Sequence, residues 1–124
     1  MRLAIVAVLM AMGATARAQD GAHRMMLAEV KQRRAELAGL FVRVENVTIS
    51  GFSMSRGGLA SDTSGGVRLD DTGMQPETIS YLERNCARMG ATAVAAGCRG
   101  ALEFTVAGTH GAFTINDAQF IPQN

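Results

Sequence analysis

The stretch "LFVRVENVTISGF", residues 40–52, decides the fold because its apolar residues alternate and then change phase. Val42 and Val44 occupy even-numbered positions, whereas Val47 and Ile49 occupy odd-numbered ones. A shift of one residue inside a continuous strand is what a β-bulge produces. Because bulges let a strand bend round a barrel, the stretch predicts one long, bent strand of a curved sheet.

The residues before this strand predict an amphipathic helix. In "AHRMMLAEVKQRRAELA", residues 22–38, the apolar residues Met26, Val30 and Leu37 recur at helical spacing, and Gly39 follows as a stop signal. We expect this helix to lie against the rest of the domain.

The residues after the strand predict a loop, a strand and a second helix. "SMSRGGLASDTSGG", residues 53–66, is rich in glycine and serine and predicts a long loop with a short strand at Leu59–Ser61. "VRLDD", residues 67–71, predicts a strand. "PETISYLERNCARMG", residues 76–90, predicts a helix that begins with proline and ends with glycine. The apolar stripe of this helix is Ile79, Leu82, Cys86 and Met89.

The last part of the chain predicts two strands separated by a glycine-rich turn. In "ALEFTVAGTHGAFTINDAQFI", residues 101–121, Leu102 and Phe104 share a face before the turn at Gly108–Gly111. The alternation shifts once more near Asp117, which predicts a second irregular strand.

This order of elements resembles an OB-fold, a five-stranded Greek-key barrel with a helix between its third and fourth strands. The resemblance covers Leu40 to Ile121 and rests on "FVRVENVTIS", "GGVRLDD", "ETISYLERNCARM", "LEFTVAG" and "FTINDAQFI". Small exported bacterial proteins with this layout look like relatives, and the likeness implies a binding barrel of unspecified ligand. We expect a mostly β fold, with a helix in residues 19–39 and an OB-like barrel in residues 40–124. A four-stranded α+β sandwich is the alternative, since the second strand is weak.

The first residues are typical of a secretory signal peptide. Arg2 precedes the apolar run Leu3–Met12, and Ala16 and Ala18 form a small-x-small cleavage site. The run is shorter than the roughly 20 apolar residues that span a bilayer, and no later segment is apolar enough to do so. We expect cleavage after Ala18, which removes residues 1–18 and leaves a periplasmic or secreted chain without a transmembrane segment.

Charge and aromatic content argue against nucleic acid as a partner. Loss of the leader removes two of the twelve basic residues, so that ten remain against eleven acidic ones. Binding to nucleic acid or to an anionic membrane needs a basic excess. One tyrosine and five phenylalanines, several of them expected in the core, are also too few for the aromatic platform that holds single strands.

Cys86 and Cys98 are the two cysteines of the chain, and an oxidising compartment predicts that they pair. Cys86 lies near the end of the predicted helix, and Cys98 lies just before the strand that begins at Ala101, so a bridge would clamp one to the other. A redox role is disfavoured because oxidoreductase pairs usually have C-x-x-C spacing at a helix start. A metal site is disfavoured because His110 is the only further ligand expected nearby.

The sequence contains no nucleophile elbow, phosphate loop, metalloprotease pair or dinucleotide fingerprint. We therefore expect no cofactor, no metal and no enzymatic activity. One alternative is a small periplasmic hydrolase in which His110 works with a loop carboxylate such as Asp62. Another is a structural or inhibitor protein whose glycine- and serine-rich loop inserts into a partner.

Binding is the role that the predicted fold favours. OB barrels usually hold ligands across their second and third strands, between the first and the last hairpin loop. These positions contain Arg56 in the first loop, Arg68 on the third strand and His110 in the last turn. We expect these residues to bind a protein or a glycan of the cell envelope; the alternative is that they are ordinary exposed charges.

Overall fold

A computed structural model describes residues 22–89, 97–108 and 113–123. The predicted signal peptide, residues 1–18, lies outside these described residues. The mostly β class with additional helices is confirmed. In chain order the elements are β1 (His23–Arg24), α1 (Leu27–Gln32), α2 (Arg34–Leu37), β2 (Phe41–Ser53), β3 (Gly57–Asp62), β4 (Gly65–Leu69), α3 (Pro76–Asn85), β5 (Arg99–Thr105), β6 (Thr114–Ile115) and β7 (Gln119–Pro122).

The strands form one curled sheet in the order β6-β4-β3-β2-β5-β7, and β1 pairs with β2. Strand β6 runs parallel to β4, and β7 runs antiparallel to β5. Since β6 and β7 are neighbours along the chain but pair with opposite edges, residues 114–122 bridge the two edges of the sheet. With α3 between β4 and β5, the strands form a curled, open half-barrel whose strand order agrees with that of the predicted five-stranded barrel, its fifth strand being divided into β6 and β7.

Strand β2 is the long, bent strand that residues 40–52 predict. Its pairing with β5 shifts register between Val44 and Val47, and Asn46 between them has a φ of 56°. Both valines are fully buried although they are three positions apart, which regular alternation does not allow. The bulge therefore returns the apolar residues to the core side after the bend.

The N-terminal segment forms two short helices instead of the single helix predicted over residues 22–38. Helix α1 ends at Gln32, because Arg33 has φ −107° and ψ 20°, which lie outside the helical range. Leu27 is fully buried, whereas Met26, predicted on the apolar face, is 46% exposed. The helix begins later than predicted because the preceding residues pair with β2 as β1.

The buried apolar side chains of the helices and of the barrel form one cluster. Leu27, Val30 and Leu37 of α1 and α2 belong to it, as do the large residues Phe52 and Phe104 of the barrel. The N-terminal helices therefore share their core with the sheet.

Most of the predicted loop at residues 53–66 is the hairpin β3–β4. The short strand expected at Leu59–Ser61 is present and extends over the whole of β3. Gly57 has a φ of 75°, and a Cβ at this position would lie 2.0 Å from the carbonyl oxygen of Leu69. Gly57, which contributed to the loop prediction, thus allows β3 to pack closely against β4.

Helix α3 ends at Asn85, five residues before the end that the sequence predicts. Leu82 and Cys86 are fully buried, as the predicted apolar stripe requires. Met89, the last member of that stripe, lies beyond the helix and is 61% exposed. The early helix end therefore places Met89 on the surface of the barrel.

Candidate functional site

A groove on the outer face of the sheet, called the β2–β3–β4 groove below, brings together two of the three predicted ligand residues. Arg56 lies in the turn between β2 and β3, and Arg68 lies on β4. Nη2 of Arg68 donates a hydrogen bond to the carbonyl oxygen of Arg56. The third residue, His110, lies outside the described residues. The groove has a volume of about 410 Å³ and is lined by Ser50, Gly51, Ser53, Arg56, Gly57, Gly58, Leu59, Arg68 and Met89.

Strand alternation explains why Leu59 and Arg68 point into this groove. Their neighbours Ala60 and Leu69 are fully buried in the barrel core. Successive side chains of a strand point to opposite faces, so Leu59 and Arg68 face outward. The two are direct cross-strand partners, and an apolar side chain therefore stands beside a cationic one.

Glycines make the floor of the groove. A Cβ on Gly58 would lie 2.8 Å from the carbonyl oxygen of Ser50, which is closer than a side chain allows. Next to Ser50, the pairing of β2 with β3 shifts register, and Gly51 has a φ of 61°. The floor is therefore main chain, and the longer side chains of the two arginines, Leu59 and Met89 form the walls.

Hydrogen bonds between residues 86–88, which follow α3, and residues 51–52 of β2 fix the main chain beside Met89. The N–H of Gly51 donates to the carbonyl oxygen of Arg88 at 3.1 Å, and the N–H of Phe52 donates to that of Cys86 at 2.9 Å. Sδ of Met89 lies 3.1 Å from the position that a Cβ on Gly51 would take. The segment is held firmly while the methionine side chain remains accessible.

The predicted disulfide between Cys86 and Cys98 is formed, with an S–S distance of 2.06 Å and a Cα–Cα distance of 5.6 Å. Both residues also accept hydrogen bonds from β2, since the N–H of Ile49 donates to the carbonyl oxygen of Cys98 at 2.8 Å, and that of Phe52 donates to Cys86. The bridge joins the end of α3 to the start of β5 beside residues 49–52 of β2. It thereby supports the wall of the groove that carries Met89.

The groove arginines differ in their ionic contacts from Arg43 on the same sheet. Arg43 pairs with Glu45 at 2.7 Å and with Glu103 at 2.6 Å. None of the ion pairs between described residues includes Arg56 or Arg68. Two cations without a carboxylate partner in this part of the structure favour an anionic ligand.

Two carboxylates beside the groove hold the turn that carries Arg56. Asp71 accepts a hydrogen bond from the N–H of Ser55 at 2.6 Å, and Glu83 accepts one from the N–H of Met54 at 3.1 Å. Each bond uses one oxygen of its carboxylate and helps to fix the turn. Met54 itself is 53% exposed.

Hydrogen bonds occupy the carboxylate of Asp62, the acid of the hydrolase alternative. Oδ2 accepts from the N–H of Leu27 at 2.9 Å, while Oδ1 accepts from the N–H and the hydroxyl of Ser64 at 2.8 and 2.5 Å and from the N–H of Gly65 at 3.2 Å. Burial raises the pKa of Asp62, but the bonds from Ser64, Leu27 and Gly65 outweigh it and hold the pKa below its ordinary value. A carboxylate with a lowered pKa and occupied oxygens is a poor general base.

A larger depression of about 550 Å³ lies over α3 and is lined by Pro76, Glu77, Ser80, Glu83 and Arg84. All of these residues belong to one helix, so the depression is a hollow between solvent-facing side chains. The β2–β3–β4 groove instead combines three strands with the segment after α3, which holds its chemical groups at fixed positions.

Within residues 22–89, 97–108 and 113–123, no three histidine, cysteine or acidic side chains lie close enough together to hold a metal ion. The helices of this part of the chain are all too short or too polar to cross a membrane.

Leu59 and Met89 are the groove residues that sequence reasoning did not assign to the site. Leu59 had a usable signal, because the small residue Ala60 next to it is suited to the inside of a barrel and leaves Leu59 outside. Met89 had no such signal, since its apolar spacing predicts a buried helix position.

A scan against protein-family models, a search of curated proteins and a search of solved structures each found no match to this chain. The β2–β3–β4 groove is therefore the basis for a functional proposal.

Proposed function

We propose that the protein is an exported, non-enzymatic binding domain that holds a protein or a glycan of the cell envelope in the β2–β3–β4 groove. The observation that carries this proposal is the pair Arg56 and Arg68, which stand together in the groove without carboxylate partners among the described residues. The groove also lies on the sheet face that OB barrels use for ligands.

Two features support export to the periplasm or the exterior. Residues 1–18 have the charge, apolar run and cleavage pattern of a signal peptide. The Cys86–Cys98 bridge is of a kind that persists in oxidising compartments and is rare in the cytosol.

The described residues favour binding over the two alternatives. Both cysteines are consumed in the disulfide, and the oxygens of Asp62 accept four hydrogen bonds, so neither supplies the reactive group that a hydrolase needs. An inhibitor loop needs a long free segment, but β3 and β4 take up most of residues 53–66.

The test is the binding of the exported, disulfide-bonded protein to two probes, isolated cell-wall glycan and envelope membrane vesicles. The double variant Arg56→Glu/Arg68→Glu should bind at least one probe about tenfold more weakly than the wild type, because it replaces both cations with anions. The matched control is Lys31→Glu/Arg84→Glu, which makes the same change in net charge on α1 and α3, away from the groove.

The control should keep wild-type affinity in a sedimentation or biosensor assay. Equal loss in both double variants would show that net charge, and not the groove, determines binding. Binding that neither double variant changes would exclude the groove as the site. Sequencing the N-terminus of the exported protein should give Gln19 as the first residue.

A further inference from the structure

We infer that the ligand of the β2–β3–β4 groove is an acidic segment of a partner protein, whose carboxylates meet Arg56 and Arg68 while an apolar side chain packs between Leu59 and Met89. This inference rests on the proposed binding function and names the class of ligand. It comes from the juxtaposition of two cations and two exposed apolar side chains on one glycine floor.

The cationic side of the groove is prepared for a carboxylate. The guanidinium of Arg68 uses one of its five N–H groups to bond the carbonyl oxygen of Arg56, which positions the group over the β2–β3 turn. The remaining donors have the planar fork geometry that binds a carboxylate through two parallel hydrogen bonds. Arg56 adds a second cation on the same turn.

The apolar side of the groove suits a protein side chain. Leu59 on β3 is 39% exposed and Met89 in the segment after α3 is 61% exposed, so both offer apolar surface to a ligand. Methionine is unbranched and polarizable, so it adapts to different apolar partners and is common on peptide-binding surfaces. Since Leu59 is the cross-strand partner of Arg68, a ligand must offer an acidic and an apolar group close together.

The composition of the groove argues against a glycan or a nucleic acid as ligand. None of the described residues that line the groove is aromatic. Nucleic acid bases stack on aromatic rings, and the faces of sugar rings pack against them in the same way. The glycine floor also exposes main chain, along which an extended peptide can lie without a clash.

The experiment measures amide chemical shifts of the exported protein in titrations with synthetic probes. The main probe is the capped peptide Gly-Glu-Leu-Glu-Leu-Gly; its controls replace both glutamates with glutamine or both leucines with serine. A uronic-acid trisaccharide supplies carboxylates on a sugar. We expect the glutamate–leucine peptide to shift the amides of Gly57, Gly58 and Leu59. We expect about tenfold weaker binding of the glutamine peptide and about threefold weaker binding of the serine peptide.

Variants connect each half of the ligand to its side of the groove. Arg56→Gln/Arg68→Gln should abolish the advantage of glutamate over glutamine, and Leu59→Ser should abolish that of leucine over serine. Lys31→Gln/Arg84→Gln should change neither. Equal binding of the glutamine peptide, or no shift at the groove amides with any peptide, would overturn the inference. If the trisaccharide shifts those amides at lower concentration, the inference fails while the proposed binding function stands.

Discussion

Asp62 links the β3–β4 hairpin to the first helix. Helix α1 has no side-chain cap at Met26, which leaves its first N–H groups without local partners. The carboxylate of Asp62 accepts the N–H of Leu27, 35 residues away in sequence, and the hydroxyl oxygen of Ser64 accepts the N–H of Ala28 at 2.9 Å. A turn of the barrel therefore caps the helix.

Replacing Asp62 with asparagine should lower the free energy of unfolding by about 1–2 kcal/mol at neutral pH, because the NH2 group that takes the place of one carboxylate oxygen cannot accept the hydrogen bonds made there and the negative charge is lost. The folded pKa of Asp62 lies below the ordinary 3.8, so the contribution of the charge is fully present above that value. It is lost as the pH falls through the folded pKa. Urea unfolding at several pH values should therefore show a wild-type advantage that shrinks below about pH 4.

Glu77→Gln is the matched control for this substitution. Glu77 is exposed in the first turn of α3 and makes none of the side-chain hydrogen bonds or ion pairs found between described residues. Its replacement should change stability by less than about 0.5 kcal/mol at any pH. A similar acid dependence in both variants would mean that Asp62 does not cap α1.

At the level of elements, Asn46 determines whether β2 can bend. Its φ of 56° lies in the left-handed region, which asparagine and glycine tolerate and β-branched residues do not. Asn46→Gly should remain within about 0.5 kcal/mol of the wild type, whereas Asn46→Val should lose about 1–2 kcal/mol. Chemical denaturation of the two variants gives the comparison, and equal stability would contradict a strained bend.

The disulfide should contribute to both stability and the shape of the groove. Because the bridge closes a loop with a sequence separation of 12, its removal should lower the free energy of unfolding by about 3 kcal/mol. The variant Cys86→Ala/Cys98→Ala tests this by urea unfolding, and reduced wild-type protein provides a second measurement. The amide of Gly51, which bonds to the segment after Cys86, should lose hydrogen-exchange protection. An unchanged unfolding midpoint would exclude a stabilising role.

The elements differ in how well the sequence predicts them. The alternation in β2 and the spacing in α3 are local patterns, so the bent strand and the buried Cys86 were predictable. The start of α1 depends on a hydrogen bond to Asp62, and the residues just after α3 accept hydrogen bonds from Gly51 and Phe52. These partners are distant in sequence, so local patterns do not predict either helix boundary. Arg56 and Arg68 follow from the predicted order of strands, which brings them to one site. The position of Met89 depends on where α3 ends, so it could not be predicted.

For the whole molecule, the N-terminal helices are part of the barrel core. Leu27, Val30 and Leu37 are at most 3% exposed and pack in the same cluster as the strands. Burying each such side chain contributes about 1.5–3 kcal/mol, so the three together are comparable to a total stability of about 5–15 kcal/mol.

A chain that begins at Leu40 should therefore fail to fold cooperatively. We expect a broad thermal transition and binding of a hydrophobic dye, because the uncovered core is open to water. A chain that begins at Ala22 keeps α1 and α2 and should unfold in one sharp transition. A sharp transition in the shorter chain would show that the barrel is independent of the helices.

Residues 114–122, which bridge the two edges of the sheet, also determine when the barrel can be completed. These residues follow every other strand in the chain, and β2 must in addition find β5, so that Phe41 pairs with Thr105. Such distant pairings make folding slow, because the chain loses the entropy of loop closure before it gains the contacts that stabilise the closed loop. A chain made from its N-terminus thus keeps both sheet edges open until its last strands are available. If the chain is exported as proposed, an open sheet whose last strands pair late would leave it unfolded during passage through the membrane, and closure would follow on the far side.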